Sequence, residues 1–356
     1  MRRRVADRPL AAVTLVNMRD EFAAQGPGVV ISRALREGIA ARLARREQAV
    51  VLLNRRGFAS SIFCRTCGSS LDCPNCSVSL TFHRRASRLR CHYCDHAADV
   101  PRACPMCGGE MLEYQGIGTE RVEAELREGF PGVRVARVDR DTVRRRGEVT
   151  RVLERFARRE IDVLVGTQMI AKGHDFPAVT LVGVISADVG LGLADFRAGE
   201  RTFQLLTQVA GRAGRGEVAG EAIVQTLCPE HYSIGLATTQ DYEAFFEREM
   251  AMREAMRYPP AEALVNVVVR DADLPRALSG ARRIAAEVRR LGEARGVRVV
   301  GPAPAPLSRL RGESRAQFFA KGSDRNALRA SVRDAVAAHP DLRRQVTVDV
   351  DPQSVL

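Results

Sequence analysis

Lysine is almost absent from this chain of 356 residues: of its 55 basic residues, only Lys172 and Lys321 are lysines. The lysine of a Walker A phosphate-binding loop follows a glycine, whereas both lysines here follow an alanine. The sequence therefore excludes a P-loop within this chain. The one Asp-Glu pair, Asp20-Glu21, follows Arg19, where a Walker B strand would be apolar. We therefore expect no ATP hydrolysis by this chain alone.

Long apolar runs are also missing, and no stretch is long enough to cross a membrane. The chain starts with basic residues, but the apolar patch that follows, Ala11–Val16, is shorter than the hydrophobic region of a signal peptide. We therefore expect a soluble cytoplasmic protein in a reducing compartment, without a membrane partner.

The net charge of the chain is +12, and 53 of its 55 basic residues are arginine. A strong positive excess is typical of proteins that bind a polyanion such as nucleic acid. Arginine together with abundant alanine also arises in GC-rich genomes, so the charge alone does not fix the partner.

Cysteine is concentrated in one segment, which holds eight of the nine cysteines. They form four C-x-x-C pairs: Cys64/Cys67, Cys73/Cys76, Cys91/Cys94 and Cys104/Cys107. Two thiolates separated by two residues fit one tight turn, and two such turns supply the four sulfurs of a tetrahedral zinc site. Disulfides and iron–sulfur clusters are the alternatives. Disulfides need an oxidising compartment, and iron–sulfur clusters use cysteines that are spaced more closely along the chain. We therefore predict two structural zinc ions.

Spacing does not decide which pairs share an ion. The pairing could be sequential, or nested with the first pair beside the fourth and the second beside the third. Gly68 and Gly108 follow the outer pairs, as suits a turn that needs an open backbone, whereas Ser77 and Asp95 follow the inner pairs. This difference favours nesting. The ninth cysteine, Cys228, is predicted to be a buried small apolar residue.

Strands alternating with helices between residues 13 and 226 predict a doubly wound α/β domain, and the cysteine segment is predicted to be an insertion after the first strand of that domain. Pro259-Pro260 marks a boundary, beyond which the order β-α-β-β-α-β is typical of a ferredoxin-like α+β domain. A helix of about residues 241–257 joins the two, and we expect its large apolar side chains to pack against the α/β domain: Tyr242, Phe245, Phe246, Met250 and Met256.

Two motifs carry chemistry. In the first, VGTQMIAKGHD, Gly166-Thr167 lies just past the carboxyl end of a predicted buried strand, where α/β sheets bind ligands. In the second, QLLTQVAGRAGRG, Arg212 and Arg215 project from one side of a helix end, which suits the arginine-finger role at a transferring phosphoryl group.

Together these segments resemble motifs V and VI of superfamily 2 helicases. With the cysteine segment, the chain resembles the primosomal protein N′ (PriA) family of replication-restart DNA helicases, from about residue 11 to the end. The phrases that carry the resemblance are VLLNRRGF, GTERVEAEL, RVDRDT, GTQMIAKGHDFPAVTLVGV, DFRAGERTFQLLTQVAGRAGR and DVDP. The resemblance implies the C-terminal half of an ATP-dependent 3′→5′ helicase that restarts stalled forks and initiates primosome assembly. ATP and magnesium would bind to the full-length protein.

The resemblance also implies residue roles. Gln208, Arg212 and Arg215 would be catalytic, Gly173 and Asp175 would face the nucleotide, and Thr167 and Gln168 would lie on the single-stranded DNA track. It implies nested zinc sites, with Cys64, Cys67, Cys104 and Cys107 around one ion and Cys73, Cys76, Cys91 and Cys94 around the other.

The implied partners are forked and single-stranded DNA, single-stranded-DNA-binding protein and other primosome proteins, at the nucleoid. Arg315 and Gln317 are predicted to contact DNA or that binding protein. The expected domains are the end of a first lobe and linker (1–31), a RecA-like second lobe (32–62 and 109–240), the zinc insert (63–108), a connecting helix (241–258) and a C-terminal α+β domain (259–356).

Two other interpretations remain open. A motor-less relative could hold forked DNA and partner proteins as a zinc-containing scaffold. A zinc-ribbon factor that binds RNA would explain the charge and the cysteines, but it leaves the motif from Gln208 to Arg215 without a role.

Overall fold

The computed structural model of the chain describes residues 11–54, 61–76, 78–83, 86–113, 118–139, 147–167, 176–211, 213 and 220–355. Within these residues the α-helices are α1 Met18–Gln25, α2 Arg33–Ala44, α3 Thr119–Gly129, α4 Glu148–Ala157, α5 Ala198–Ala210, α6 Tyr232–Thr239, α7 Tyr242–Ala255, α8 Leu274–Gly292 and α9 Arg325–Ala337. The strands are β1 Ala12–Asn17, β2 Gln48–Leu53, β3 Phe63–Cys64, β4 Thr81–His83, β5 Arg88–Arg90, β6 Ala97–Asp99, β7 Leu112–Glu113, β8 Val135–Val138, β9 Val163–Gly166, β10 Val179–Ile185, β11 Glu221–Thr226, β12 Ala263–Asp271, β13 Arg298–Leu310, β14 Glu313–Gly322 and β15 Val346–Val350. None of the described helices is long and apolar enough to cross a bilayer.

The larger domain is built on a six-stranded sheet in the order β1-β11-β10-β2-β9-β8, and all its strand pairs are parallel. Every residue of β2, β9 and β10 is buried, which accounts for their continuous apolar runs. Helices α2 and α3 cover one face of the sheet, and α4 and α5 cover the other. The predicted doubly wound α/β fold is therefore confirmed.

Strand β1 is an edge strand of this sheet. It pairs with β11 along its whole length, from Ala12 opposite Glu221 to Asn17 opposite Thr226. Val13 and Leu15 on its inner side pack against the same apolar core as α4 and α5. The sequence had suggested that residues 1–31 end a preceding lobe, and we instead propose that the second lobe begins at β1.

The C-terminal domain is an antiparallel sheet in the order β13-β14-β12-β15, with α8 and α9 packed on one face. This strand order is the one that the β-α-β-β-α-β connection gives in a ferredoxin-like fold, and the prediction is confirmed. Strand β13 continues through three prolines, Pro302, Pro304 and Pro306. Proline is tolerated there since β13 is an edge strand.

Helix α7 turns a largely polar face inward. Phe245 is buried and stacks on Phe203 with 4.0 Å between ring centroids, but the next inward residues along the helix are Glu249 and Arg253. The expectation that the large apolar side chains of α7 pack into the core is wrong for three of them. Tyr242, Phe246 and Met256 are exposed by 61%, 51% and 42%.

Candidate metal centres and motor site

The eight clustered cysteines converge in two groups of four. The outer pairs form the first group, Cys64, Cys67, Cys104 and Cys107, and the inner pairs form the second, Cys73, Cys76, Cys91 and Cys94. Within each group all four sulfurs lie within 4.8 Å of one another. The nested pairing, which the glycine positions favoured, is the one that the fold produces.

The sulfur geometry fits a single tetrahedral zinc ion in each group. The Sγ atoms of Cys64 and Cys107 lie 3.7 Å apart, and those of Cys73 and Cys94 lie 3.6 Å apart. Zn–S bonds of about 2.3 Å in a tetrahedron give S···S separations of about 3.8 Å, whereas a disulfide bond is about 2 Å long. Each group could therefore hold one zinc ion, and four thiolates leave no position for a reacting water.

Residues in the left-handed backbone conformation end the turns that hold the cysteines. Gly68 and Gly108 have φ of 79° and 72°, and their N–H groups donate to the carbonyl oxygens of Cys64 and Cys104 at 2.8 Å. Asp95 takes the same place after the third pair, with φ of 66°. Aspartate tolerates this conformation better than most residues, so glycine is not needed there. Ser77, after the second pair, lies outside the described residues.

The first group lies against the carboxyl edge of the six-stranded sheet. The thiol of Cys228 donates to the carbonyl oxygen of Gly68 at 2.9 Å, and Arg19 donates to that of Cys67 at 3.3 Å. The carboxylate of Asp188 in turn accepts the Cys228 N–H at 3.1 Å. Burial raises the pKa of the Cys228 thiol, which keeps it protonated and able to donate. Cys228 is half-buried, whereas the sequence predicted a fully buried apolar residue, and its thiol forms a polar connection to the zinc turn.

The second group is enclosed between the C-terminal sheet and the larger domain. His92 Nδ1 lies 2.9 Å from the carbonyl oxygen of Pro304, and Gln317 donates to the carbonyl oxygen of His92 at 3.2 Å. The Tyr258 hydroxyl donates to the carbonyl oxygen of Cys76 at 3.1 Å. Burial lowers the pKa of His92 to about 4, so the ring is neutral at ordinary pH. Gln317 is 2% exposed, and its predicted contact with DNA or a partner protein is wrong because its amide holds the zinc turn.

An aromatic cluster joins this zinc turn to both domains. Tyr93, between Cys91 and Cys94, packs on Phe319 of β14 at 4.6 Å between centroids. Its hydroxyl accepts the backbone N–H of Phe196 at 3.3 Å. The Phe196 ring stacks parallel to that of Tyr258 at 4.5 Å. The sequence reasoning missed this cluster, because its members come from distant segments and no periodic pattern connects them.

Polar residues follow the strands at the carboxyl edge of the six-stranded sheet. Thr167 follows β9 and is half-buried, and Asn54 follows β2 and donates to the carbonyl oxygen of Ala187 at 2.9 Å. Asp139 follows β8 and accepts the Thr119 hydroxyl at 2.5 Å. Two phrases that carried the family resemblance, GTERVEAEL and RVDRDT, thus contact one another through Thr119 and Asp139.

Two of the residues predicted for the motor site lie on accessible positions. Gln208 is exposed near the end of α5, one turn beyond Gln204, and the opposite face of the helix is buried. Thr167 stands at the end of β9. The remaining predicted motor residues lie outside the described residues: Gln168, Gly173, Asp175, Arg212 and Arg215.

Three family models match the chain in separate regions. The PriA DNA helicase Cys-rich region (CRR) domain matches residues 73–98. The helicase conserved C-terminal domain matches residues 114–217. The primosomal protein N C-terminal domain matches residues 254–353. These regions fall on the second zinc group, the larger domain and the ferredoxin-like domain.

Curated relatives match over most or all of the chain. Replication restart protein PriA of Bacillus subtilis is 41% identical over 360 residues, which cover 100% of this chain and 44% of the relative. The protein of the same name from Synechocystis sp. is 41% identical, with 89% of this chain and 38% of the relative covered. That of Haemophilus influenzae is 37% identical, with 91% and 45% covered. The chain spans less than half the length of each of these relatives. It belongs to the PriA family of replication restart proteins, of which it carries the cysteine-rich region, the helicase C-terminal domain and the C-terminal domain.

Proposed function

We propose that this chain supplies the second motor lobe, zinc module and C-terminal domain of an ATP-dependent 3′→5′ DNA helicase, which restarts stalled forks and initiates primosome assembly. The observation that carries the proposal is the helicase C-terminal domain match over residues 114–217. It coincides with a parallel sheet whose carboxyl edge presents polar side chains, which is where such sheets bind their ligands.

In this proposal Arg212 and Arg215 stabilise the charge that develops on the γ-phosphoryl group of ATP, and Gln208 positions the reacting groups. Gly173 and Asp175 face the nucleotide, which binds with magnesium in the full-length protein. Thr167 and Gln168 contact single-stranded DNA. The Walker A lysine must come from a first lobe, because Lys172 and Lys321 each follow an alanine, and we propose that this chain hydrolyses no ATP alone.

We propose that both cysteine groups bind zinc and that neither ion takes part in the reaction. The thiolates are the chain's contribution, and the bound ion supplies folding free energy to an insert of short strands with few apolar residues. DNA, single-stranded-DNA-binding protein and primosome proteins are the proposed partners. The net charge of +12 supports a polyanionic partner.

Fork unwinding tests the motor assignment. The chain would be joined to the first lobe of the Bacillus subtilis relative, and Arg212→Ala would be compared with Arg151→Ala, which removes an exposed arginine of α4. Loss of an arginine finger lowers turnover by about 10³-fold or more, so Arg212→Ala should abolish unwinding while Arg151→Ala retains it. Equal unwinding by both variants would contradict the arginine-finger role of Arg212, and a joined protein that unwinds no fork even with Arg212 intact would favour a zinc-containing scaffold without a motor role.

A further inference from the structure

The two cysteine groups differ in how far solvent reaches their sulfurs. Cys107 is the one exposed residue among the nine cysteines of the chain, all of which lie in the described residues. Of its partners in the first group, Cys64 and Cys104 are buried and Cys67 is half-buried. In the second group three cysteines are buried and Cys94 is half-buried. A reagent in solution therefore reaches the sulfur of Cys107 more readily than that of any other cysteine.

The turn that carries Cys107 projects from the surface of the zinc insert. Residues 105–108 are all exposed, and Met106 at the tip of the turn is 74% exposed. A Cβ atom on Gly108 would meet no atom within 4 Å, so no described segment covers this side of the turn. The corresponding turn of the second group, from Cys91 to Cys94, is packed against β14 of the C-terminal domain. The difference in exposure thus comes from what lies next to each turn.

An exposed zinc-bound thiolate is a target for oxidants. Cysteine reacts with oxidants as the thiolate, and zinc holds its cysteine ligands in that form. Hydroperoxides oxidise accessible thiolates to sulfenic acids, and exposure is one of the factors that set the rate. Exposure therefore decides which of the eight clustered sulfurs a hydroperoxide oxidises first.

A second sulfur lies beside that of Cys107. The Sγ atom of Cys64 is 3.7 Å from the Sγ atom of Cys107, and a disulfide bond is about 2 Å long. A small movement of the exposed turn is enough to bring the two sulfurs into bonding distance. Accessible cysteines that sense oxidants are often placed next to a second cysteine, which converts the sulfenic acid to a disulfide. Cys107 and Cys64 have this arrangement.

We propose that Cys107 is an oxidation site for hydroperoxides, and that Cys64 forms a disulfide with it, which opens the first zinc group and leaves the second closed. The inference rests on the zinc binding proposed above, because zinc holds the sulfurs as thiolates. It is independent of the motor assignment. It gives the two groups different roles, since the first responds to oxidants and the second is a lasting structural connection.

The reaction removes two electrons from two thiolates. The Cys107 thiolate attacks one oxygen of hydrogen peroxide, the O–O bond breaks, and a sulfenic acid and a hydroxide ion form. The Cys64 thiolate then attacks the sulfenic sulfur, the S–O bond breaks, and a second hydroxide ion leaves as the disulfide forms. Each hydroxide ion takes up a proton from solvent, so one peroxide is reduced to two water molecules. Two thiolates remain in place of four, which is too few for a closed zinc site, and the metal is released.

The effect should be confined to the first group. The two groups share no cysteine, and the second is attached to the C-terminal domain by the Tyr258 hydroxyl, which donates to the carbonyl oxygen of Cys76 at 3.1 Å. The first group instead contacts the end of β11, where Gly68 lies against Leu227. Oxidation should therefore loosen the contact of the zinc insert with β11 while the C-terminal domain stays attached.

The test treats the whole 356-residue chain, reduced and loaded with zinc, with hydrogen peroxide. Zinc content is measured before treatment, and release is then followed with a chromogenic chelator. Mass spectrometry of tryptic peptides identifies the disulfide, because residues 57–65 contain Cys64 as their one cysteine and residues 103–121 contain Cys104 and Cys107. Fragmentation of the linked peptides distinguishes these last two. Sulfoxide at Met106 in the same digest reports that oxidant reached this turn.

Histidine variants provide a matched comparison. Zinc also binds to three cysteines and one histidine, so Cys107→His should keep the metal while it removes the exposed sulfur. Cys94→His makes the same replacement at the half-buried position of the second group. Release of the first ion from Cys107→His should be at least about tenfold slower than from wild type. Cys94→His should release that ion at the wild-type rate.

Wild type should release the first zinc ion, with a disulfide between Cys64 and Cys107, before it loses the second. Simultaneous loss of both ions, or sulfoxide at Met106 with both ions retained, would overturn the inference, as would release from Cys107→His at the wild-type rate. If Cys107→His binds only one ion, the order of release and the disulfide in wild type decide alone. A chain that holds less than its full zinc before treatment would instead contradict the zinc assignment on which the inference rests.

Discussion

Gly68 lies directly against the backbone of Leu227, so that a Cβ atom on Gly68 would stand 2.2 Å from the Leu227 carbonyl oxygen. This contact joins the first zinc turn to the end of β11. Gly108 occupies the matching position in the fourth C-x-x-C turn, with a similar φ of 72°, but a Cβ there would meet no atom within 4 Å. Both glycines adopt a left-handed backbone conformation, and only Gly68 also lies too close to a neighbouring segment for a side chain to fit.

Gly68→Ala and Gly108→Ala separate these two requirements. Both should lose about 1–2 kcal/mol because alanine disfavours the left-handed conformation. Gly68→Ala should lose about 1–3 kcal/mol more, because the turn must move away from Leu227. Thermal unfolding measures the difference, and a chelator assay should find faster loss of one zinc ion from Gly68→Ala. Equal stability of the two variants would show that the contact with Leu227 does not hold the turn.

The buried ion pair on α7 gives a second prediction. Arg253 donates to Glu249 and to Glu200 at 2.6 Å, and Glu249 is 4% exposed. Arg253→Met leaves a buried carboxylate without its cation, which costs about 3–5 kcal/mol. Arg333→Met, which breaks an exposed pair with Asp334, should change stability by less than about 0.5 kcal/mol. Urea unfolding measures both, and a small effect of Arg253→Met would contradict its role in attaching α7.

Lys321 gives a prediction about pH. Burial, reinforced by the charge of Arg298, lowers its pKa from 10.5 to about 8, and its ammonium lies 3.4 Å from the centroid of the Tyr258 ring. Between these two pH values the unfolded chain binds more protons than the folded one, so this group makes the fold more stable as pH rises. Lys321→Met removes that dependence.

The difference in unfolding free energy between wild type and Lys321→Met should therefore shift in favour of wild type from pH 8 to pH 10.5. The shift should amount to as much as about 3 kcal/mol. Denaturant titrations at several pH values measure it. A difference that stays constant across this range would mean that Lys321 keeps an ordinary pKa in the fold.

The two zinc sites should respond differently to loss of a ligand. The second group contacts the C-terminal domain through His92 and Tyr258, whereas the first group contacts the end of β11 through Gly68. Cys91→Ser and Cys107→Ser should each lose one zinc ion. Only Cys91→Ser should expose the segment around Arg257 to trypsin, while the helix content of the α/β domain survives in both. Equal cleavage of both variants, or global loss of helix content, would contradict this division.

The sequence predicted most of the architecture because its signals were local. Continuous apolar runs identified β2, β9 and β10, and the C-x-x-C spacing identified the metal-binding turns. The positions that sequence reasoning missed depend on contacts between distant segments. Tyr93, Phe196, Tyr258 and Phe319 meet in one cluster, and nothing in their local sequences indicates it.

Two other differences between the sequence-based predictions and the structure also arise from contacts between distant segments. The family resemblance assigned Gln317 to a contact with DNA or a partner protein, yet the zinc turn covers that face of β14 and uses its amide. Helix α7 carries apolar side chains at helical spacing, but its buried face is fixed by the Arg253 ion pairs. Buried polar side chains form hydrogen bonds, and when the partner is far away in the chain a single sequence does not reveal that the residue is buried.

The most direct test of the central claim is ATP turnover by the purified 356-residue chain, with and without forked DNA. The chain should show no turnover in either condition, and it should gain DNA-stimulated turnover when it is joined to a first motor lobe that carries a Walker A lysine. DNA-stimulated hydrolysis by the chain alone would contradict the claim that its motor site is half of a complete one.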